Sequence, residues 1–305
     1  MTSSVIIALL ASFLWAVTNH IDKYMLCKID SATSNIKTLL VFSSLVAGVA
    51  ISPIWLITSK FQVHIDILPL IVIFISAIIY VLATYLYFKA LEKNDASIVV
   101  VMFQLIPVFS YIFSLILFKE TLNTNEIIGA LIIISSAIII SFEFGKTSNK
   151  NKVIALILIT TSSLLFSLYF ICFDFAIRNS EYNAVAFWYQ IGLLLVGIYL
   201  IRIKSFRAEF VATIKKNGKK LVSLNVTNEI INLVANLLVN FANLTIPLAL
   251  ANTLNGFQGA FCFIIGVIGT VLFPKIITED LSKRNVLQKL SCITLGIIGL
   301  VVMFG

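Results

Sequence analysis

Charge is scarce in these 305 residues: Asp, Glu, Lys and Arg together make up 12%, against 60% hydrophobic residues. A soluble fold of this size would carry that excess as exposed apolar patches, which water penalises and a bilayer does not. Histidine is nearly absent, with only His20 and His64, too few for a His-rich metal centre. The four cysteines, Cys27, Cys172, Cys262 and Cys292, include no C-x-x-C pair, which argues against a zinc motif and a disulfide framework. There is no P-loop, no His-Asp cluster and no Ser-His pairing in one layer. The chain therefore reads as no enzyme, with no metal and no cofactor. Its net charge of +8 sits in short stretches between apolar runs, a juxtamembrane pattern and not a nucleic-acid signature. The apolar run beginning at Ser4 has no basic region before it and no convincing cleavage site. It reads as a first membrane helix, not a removable signal peptide.

What is abundant is apolar sequence in lengths that suit a membrane. A helix needs about 20 apolar residues to cross the hydrocarbon core. Ten stretches qualify, near residues 4–24, 32–58, 66–88, 95–118, 125–142, 153–177, 183–202, 221–245, 248–273 and 286–304. A run such as Leu68–Ile79 lacks the alternation of a barrel strand. The expected fold is thus an all-α integral membrane protein with ten transmembrane helices and no soluble domain. The longest connection, 202–220, places Phe206, Phe210, Val211 and Ile214 on one helical face among basic residues. That suits a helix lying in the interface; a solvated loop is the alternative.

Phe103-Gln104 recurs as Phe257-Gln258, each inside a run ending in Leu-Phe and followed by Glu120 or Glu279. Residues 1–145 and 146–305 then read as two five-helix repeats. An odd number of spans per repeat puts the two in opposite orientations, the architecture of many secondary transporters. All Lys and Arg residues except Lys60, Lys119 and Arg178 fall on one side of this topology. That bias argues that both termini face away from the cytoplasm.

The stretch Tyr87-Phe88-Lys89-Ala90-Leu91, followed by Ala96-Ser97, Pro107, Glu120 and Gly129, resembles the EamA-type repeat of the drug/metabolite transporter superfamily. Trp15 followed by Lys23 is similar to the Trp-Gly…Lys pattern of that family's first span, with Ala16 in place of the glycine. The motifs are specific only in residues 1–140. The second half departs at Phe166, Asp174 and Phe261. The resemblance implies a ten-helix carrier in the cytoplasmic membrane, with a cavity lined by spans 1, 3, 4, 6, 8 and 9 and termini that usually face inward.

Polar residues inside spans are expensive and mark candidate sites. In the eighth span Asn225, Asn228, Asn232, Asn236, Asn240 and Asn243 recur at helical spacing, with Glu229 in the same arc. That face is expected to look into a cavity, although amides can also join helices. Two roles fit Glu229: binding a cationic or amino group, or taking a proton for coupling. Asn255 and Gln258 in the ninth span and Gln104 in the fourth extend the amide set. Trp15, Tyr85 and Tyr169 are candidates to wall the cavity. Asn19 and Lys23, beside His20 and Asp22, end the first span and could gate it.

Three classes compete. A secondary carrier of an amino acid or similar polar or amphipathic solute, working by alternating access as monomer or homodimer, leads. A lipid-linked carrier or flippase of the same fold is the alternative, and a membrane enzyme is the third. The expected partners are a small-molecule substrate, the lipid bilayer, and a proton or ion as coupling partner.

Overall fold

The computed structural model describes residues 2–27, 36–118, 123–141, 149–243 and 254–304. Every secondary-structure element among them is helical. The helices are α1 (Thr2–Cys27), α2 (Ile36–Val46), α3 (Ser52–Thr58), α4 (Ile67–Lys93), α5 (Ala96–Met102), α6 (Leu105–Phe118) and α7 (Thr124–Ser141). They continue with α8 (Asn149–Asn179), α9 (Tyr182–Arg202), α10 (Lys204–Asn243), α11 (Gln258–Leu272) and α12 (Lys283–Phe304). A π-helical stretch, Ala47–Ile51, joins α2 to α3.

Seven helical stretches among the described residues are long and apolar enough to cross a membrane. Two further apolar helices, Thr124–Ser136 and Gln258–Leu272, are shorter. Much of the exterior is large and apolar: Ile67, Ile71, Ile78, Leu82, Ile157 and Val271 are all exposed. Such a surface requires lipid around it. The chain is a multi-pass membrane protein.

Small residues set the packing, because lipid tails give helices no hydrophobic reason to associate. Ala8, Ser12 and Ala16, four residues apart on α1, are all but fully buried, and α1 packs along α10 and α11. α4 lies against α8 and α9, and α7 against α12. A Cβ at Gly129 would fall 2.6 Å from the Gly299 carbonyl oxygen and from the Met303 nitrogen. The two backbones touch only because position 129 has no side chain.

Two helices are interrupted at related places. α5 gives way to α6 through a turn at Phe103-Gln104. Proline at 107 carries no N–H for the carbonyl of Phe103, which is where the helix breaks. A second turn at Gly256-Phe257 precedes α11. The connection at 204–216 is helical and runs on into α10 past non-helical Asn217 (φ −131°). It docks on α2 through Thr38 and Thr213, whose hydroxyls are 3.3 Å apart, and through Lys37 and Glu209 at 3.4 Å. The sequence boundaries 32–58 and 248–273 extend into residues 32–35 and 248–253, outside the described residues.

Candidate functional site

α10 carries the polar face expected of it. Asn225 and Asn228 are buried, at 0% and 2% exposure, and Glu229, one position on, is partly buried. Asn232 is partly buried and Asn236, whose Nδ2 donates to the Asn232 carbonyl at 2.8 Å, is exposed. At about 100° per residue, Ile230, Val234, Leu237 and Phe241 lie on the opposite side of the helix, and all four are exposed. The apolar side suits lipid. The polar side is closed at Asn225–Asn228 and opens toward Asn236. The side chains of Asn240 and Asn243 lie outside the described residues.

Three helices close over the buried end. Asn228 Nδ2 donates to Asp22 Oδ1 of α1 at 2.8 Å. The Tyr87 hydroxyl of α4 lies 3.1 Å from Asp22 Oδ2 and 2.8 Å from Asn19 Oδ1. Asn19 is held from behind by its own Nδ2, which donates to the Trp15 carbonyl at 2.8 Å. On the other side Asn225 Nδ2 donates to Ser43 Oγ of α2 at 3.0 Å, and Ser43 hydrogen-bonds Glu229. Asp22 and Glu229 therefore face one seam from two helices and interact electrostatically. Among the described residues neither has an ammonium, guanidinium or imidazole partner.

An aromatic wall stands beside the carboxylates. Tyr80 contacts Tyr169 and Tyr189 with ring centroids 5.2 and 6.0 Å apart, and Tyr169 stacks obliquely on Tyr189 at 5.4 Å. Phe103 and Phe166 continue the wall to Tyr87, with 5.3 and 5.6 Å between successive centroids. Tyr80 and Tyr189 lie within electrostatic reach of Glu229.

Other candidates stand apart from this seam. Lys23 turns its ammonium onto the end of α4, donating to the carbonyls of Leu91, Glu92 and Asn94 at 2.5, 3.1 and 2.9 Å. That is a helix C-terminal cap, favoured by the dipole. Gln104 Nε2 donates to the Gly256 carbonyl at 3.3 Å, so the turns of the two interrupted helices meet. Asn255 Oδ1 lies 3.5 Å from Ser12 Oγ, and Gln258 opens α11, partly buried. Tyr85 lies under the Lys89 ammonium at 4.4 Å, and the partly buried Trp15 contributes its carbonyl. His20 faces the Cys262 carbonyl at 2.8 Å, so its Nε2 carries the hydrogen.

A second buried polar cluster was not anticipated from sequence. Lys289 of α12, 1% exposed, pairs with Glu279 at 2.8 Å and with Asp95. Ser97 adds a hydroxyl donor to Glu279 at 2.7 Å. The signal available was a lysine three residues inside an apolar span, costly enough to demand a partner. Among the described residues no group of three His, Cys, Asp or Glu could hold a metal ion.

Residues 2–142 match the model of the EamA-like transporter family. This first half is EamA-type, of the drug/metabolite transporter superfamily. The match points to a membrane transporter of that type. No curated protein matches the chain significantly. A solved structure described only as a crystal structure of a protein aligns over 98% of this chain and 96% of its own, with 15% identity and a TM-score of 0.52. At that identity the likeness concerns the fold alone, but it spans both halves of the chain.

Proposed function

We propose that this EamA-type protein is a ten-span secondary carrier of the cytoplasmic membrane, moving a small polar or amphipathic metabolite by alternating access along the polar face of α10. The observation that carries the reading is that face itself. It is closed at Asn225 and Asn228, which bond α2 and α1, yet exposed at Asn236, on the side of the helix opposite Val234 and Phe241. Amides and a carboxylate that reach an opening without meeting hydrocarbon suit a water-filled path. The two halves, 1–145 and 146–305, are read as inverted repeats. The meeting of the helix breaks at Gln104 and Gly256 supports this, since interrupted helices crossing at the repeat interface are a recurrent feature of carriers.

The lipid-linked reading has one observation in its favour. A groove of about 500 Å³ lies between α1, α10 and α11, lined by Val17, Ile21, Leu224 and Ile265 together with Lys220. An acyl chain with an anionic head suits it better than a polar solute does.

A thermal-shift screen of the purified chain against metabolite pools, followed by uptake of the hits into proteoliposomes, tests the carrier reading. Hits that are transported, and that are lost in Glu229→Gln and in Asn232→Ala, support it. Hits indifferent to both variants overturn the assignment of the path to α10. Stabilisation by lipid-linked compounds alone, lost in Lys220→Ala, transfers the function to the groove.

A further inference from the structure

The groove between α1, α10 and α11 lies on a different side of α10 from the polar face. At about 100° per residue, Lys220, Ser223 and Leu224 fall roughly 60° from the line of Ile230, Val234, Leu237 and Phe241, and roughly 150° from that of Asn225, Asn232 and Asn236. Lys220 and Ser223 are exposed, as those four apolar residues are. The groove therefore borders the side of the helix that suits lipid. Val17 and Ile21 of α1, Ile265 of α11 and Ile276 and Ile277 of the loop after it make most of its lining apolar. Its volume of about 500 Å³ is within the range of about 300–1,000 Å³ that holds small molecules.

The lining is graded along the helices. Leu224 lies one turn into α10 from Lys220, and Val17 and Ile21 lie deeper along α1 than Tyr24. At the outer level Lys220 Nζ donates to the Tyr24 hydroxyl at 2.5 Å and lies 5.0 Å from the centre of that ring. Because this hydroxyl accepts from the ammonium, its own hydrogen is left to give, and the ammonium keeps further hydrogens of its own. The Ser223 hydroxyl, one turn along from Lys220 in the same lining, adds another donor. Among the described residues no carboxylate pairs with Lys220. Lys215, Lys216 and Lys219 stand exposed on the same stretch. This end of the groove thus offers hydrogens and positive charge, and its deeper part offers hydrocarbon. It is also the end where the sequence gathers its basic residues, which the charge bias assigns to the cytoplasm and its anionic leaflet. Basic pockets between membrane helices on that side hold anionic lipid head groups. A lipid phosphate brings acceptors and a negative charge, the complement of this donor set.

We propose that the groove is the seat of an anionic glycerophospholipid, its phosphate on Lys220, Tyr24 and Ser223 and an acyl chain against Val17, Ile21, Leu224 and Ile265. The lipid is a resident and not a cargo. The amides of α10 lie on the far side of the helix, so no polar track leads a head group from Lys220 to the other membrane face. This goes beyond the carrier reading and stands whether or not α10 carries a solute.

The test is native mass spectrometry of the full chain, equilibrated with an equimolar mixture of dioleoyl phosphatidylglycerol and dioleoyl phosphatidylcholine, which share their chains and differ in net charge. Phosphatidylglycerol is expected to be retained at least about fivefold over phosphatidylcholine, the worth of one lysine beside an anionic lipid. Glycerophosphate, a head group without chains, should leave no adduct at the same concentration. Lys220→Ala should bring the two lipids to equal retention, whereas Lys60→Ala, an exposed lysine beyond α3, should keep the preference. Leu224→Trp fills the apolar part and should lower retention of both lipids; should it elute as aggregate, the unmodified chain and Lys220→Ala decide. Equal retention of the two lipids by the unmodified chain, a preference that survives Lys220→Ala, or glycerophosphate binding as well as the lipid overturns the proposal. In proteoliposomes a fluorescent phosphatidylglycerol should cross the bilayer no faster with the unmodified chain than with Lys220→Ala. Crossing that depends on Lys220 would make the lipid a cargo, overturn its residence and favour the lipid-linked reading.

Discussion

Replacing Lys289 by methionine keeps the length of the side chain and removes its charge from a nearly closed site. The Lys289 side chain is 1% exposed and Glu279's 2%, and they pair at 2.8 Å; the Asp95 carboxylate, with 21% exposed, retains some water. Breaking a buried ion pair on one side costs about 3–5 kcal/mol, because the remaining charge is left without compensation. Lys289→Met should fall in that range, since the Ser97 hydroxyl alone cannot neutralise Glu279. Exchanging both partners is a different perturbation: a buried pair replaced by neutral groups is often neutral or even stabilising. Lys289→Met with Glu279→Gln should therefore recover most of the loss. The assay is denaturant unfolding in mild detergent, followed by circular dichroism, with the two single variants and the double variant completing a cycle. A coupling of about 2 kcal/mol or more is expected. A single-variant loss below about 1 kcal/mol, or strictly additive effects, refutes the reasoning.

Glu279, in the loop before α12, supplies a pH dependence. Burial first, and then the Asp95 carboxylate, push it from its ordinary 4.5 up to about 7, against the pull of Lys289. The folded chain then holds this proton more tightly than the unfolded one. Its contribution is present below pH 4.5 and is lost as pH rises through about 7; unfolding titrations across that window should lose this slope in Glu279→Gln. Gly129→Ala forces a Cβ against backbone that cannot rotate aside and should cost about 1–3 kcal/mol in the same assay. A loss under about 0.5 kcal/mol would mean α7 and α12 are packed less closely than described. Tyr87→Phe removes one hydrogen from Asn19 and Asp22, worth about 0.5–1.5 kcal/mol of stability. Substrate binding should suffer further, and unchanged binding would remove Tyr87 from the site.

The polar face of α10 was legible in the sequence because helical periodicity is local: Asn225, Asn228 and Glu229 needed only their spacing. What closes over them was not, since Tyr87 and Asn228 reach Asp22 across 65 and 206 residues. Asp22 lay in view at the end of the first span, but beside Lys23 it resembled an ordinary membrane-edge residue. The ammonium's turn onto three carbonyls of α4 is what leaves Asp22 to the seam. Tyr169 stands in the aromatic wall, whereas Tyr85, from the same sequence argument, lies under Lys89. Aromatic residues carry no sign of which face they occupy when the whole helix is apolar. The interruption at Phe103-Gln104 had its cause four residues on, at Pro107. Its contact with Gly256 depends on how the halves pack, which spacing does not encode.

The central claim is that water and cargo reach the polar face of α10, and thiol accessibility measures this whatever the cargo is. In a chain with Cys27, Cys172, Cys262 and Cys292 replaced, single cysteines at positions 232, 234, 236 and 237 are exposed to a membrane-impermeant thiol reagent from each side of the bilayer. The account predicts rapid labelling at 232 and 236 from at least one aqueous side, and none at 234 and 237, which face lipid. Labelling of 234 and 237 as fast as 236, or an inert 236 from both sides, would contradict it.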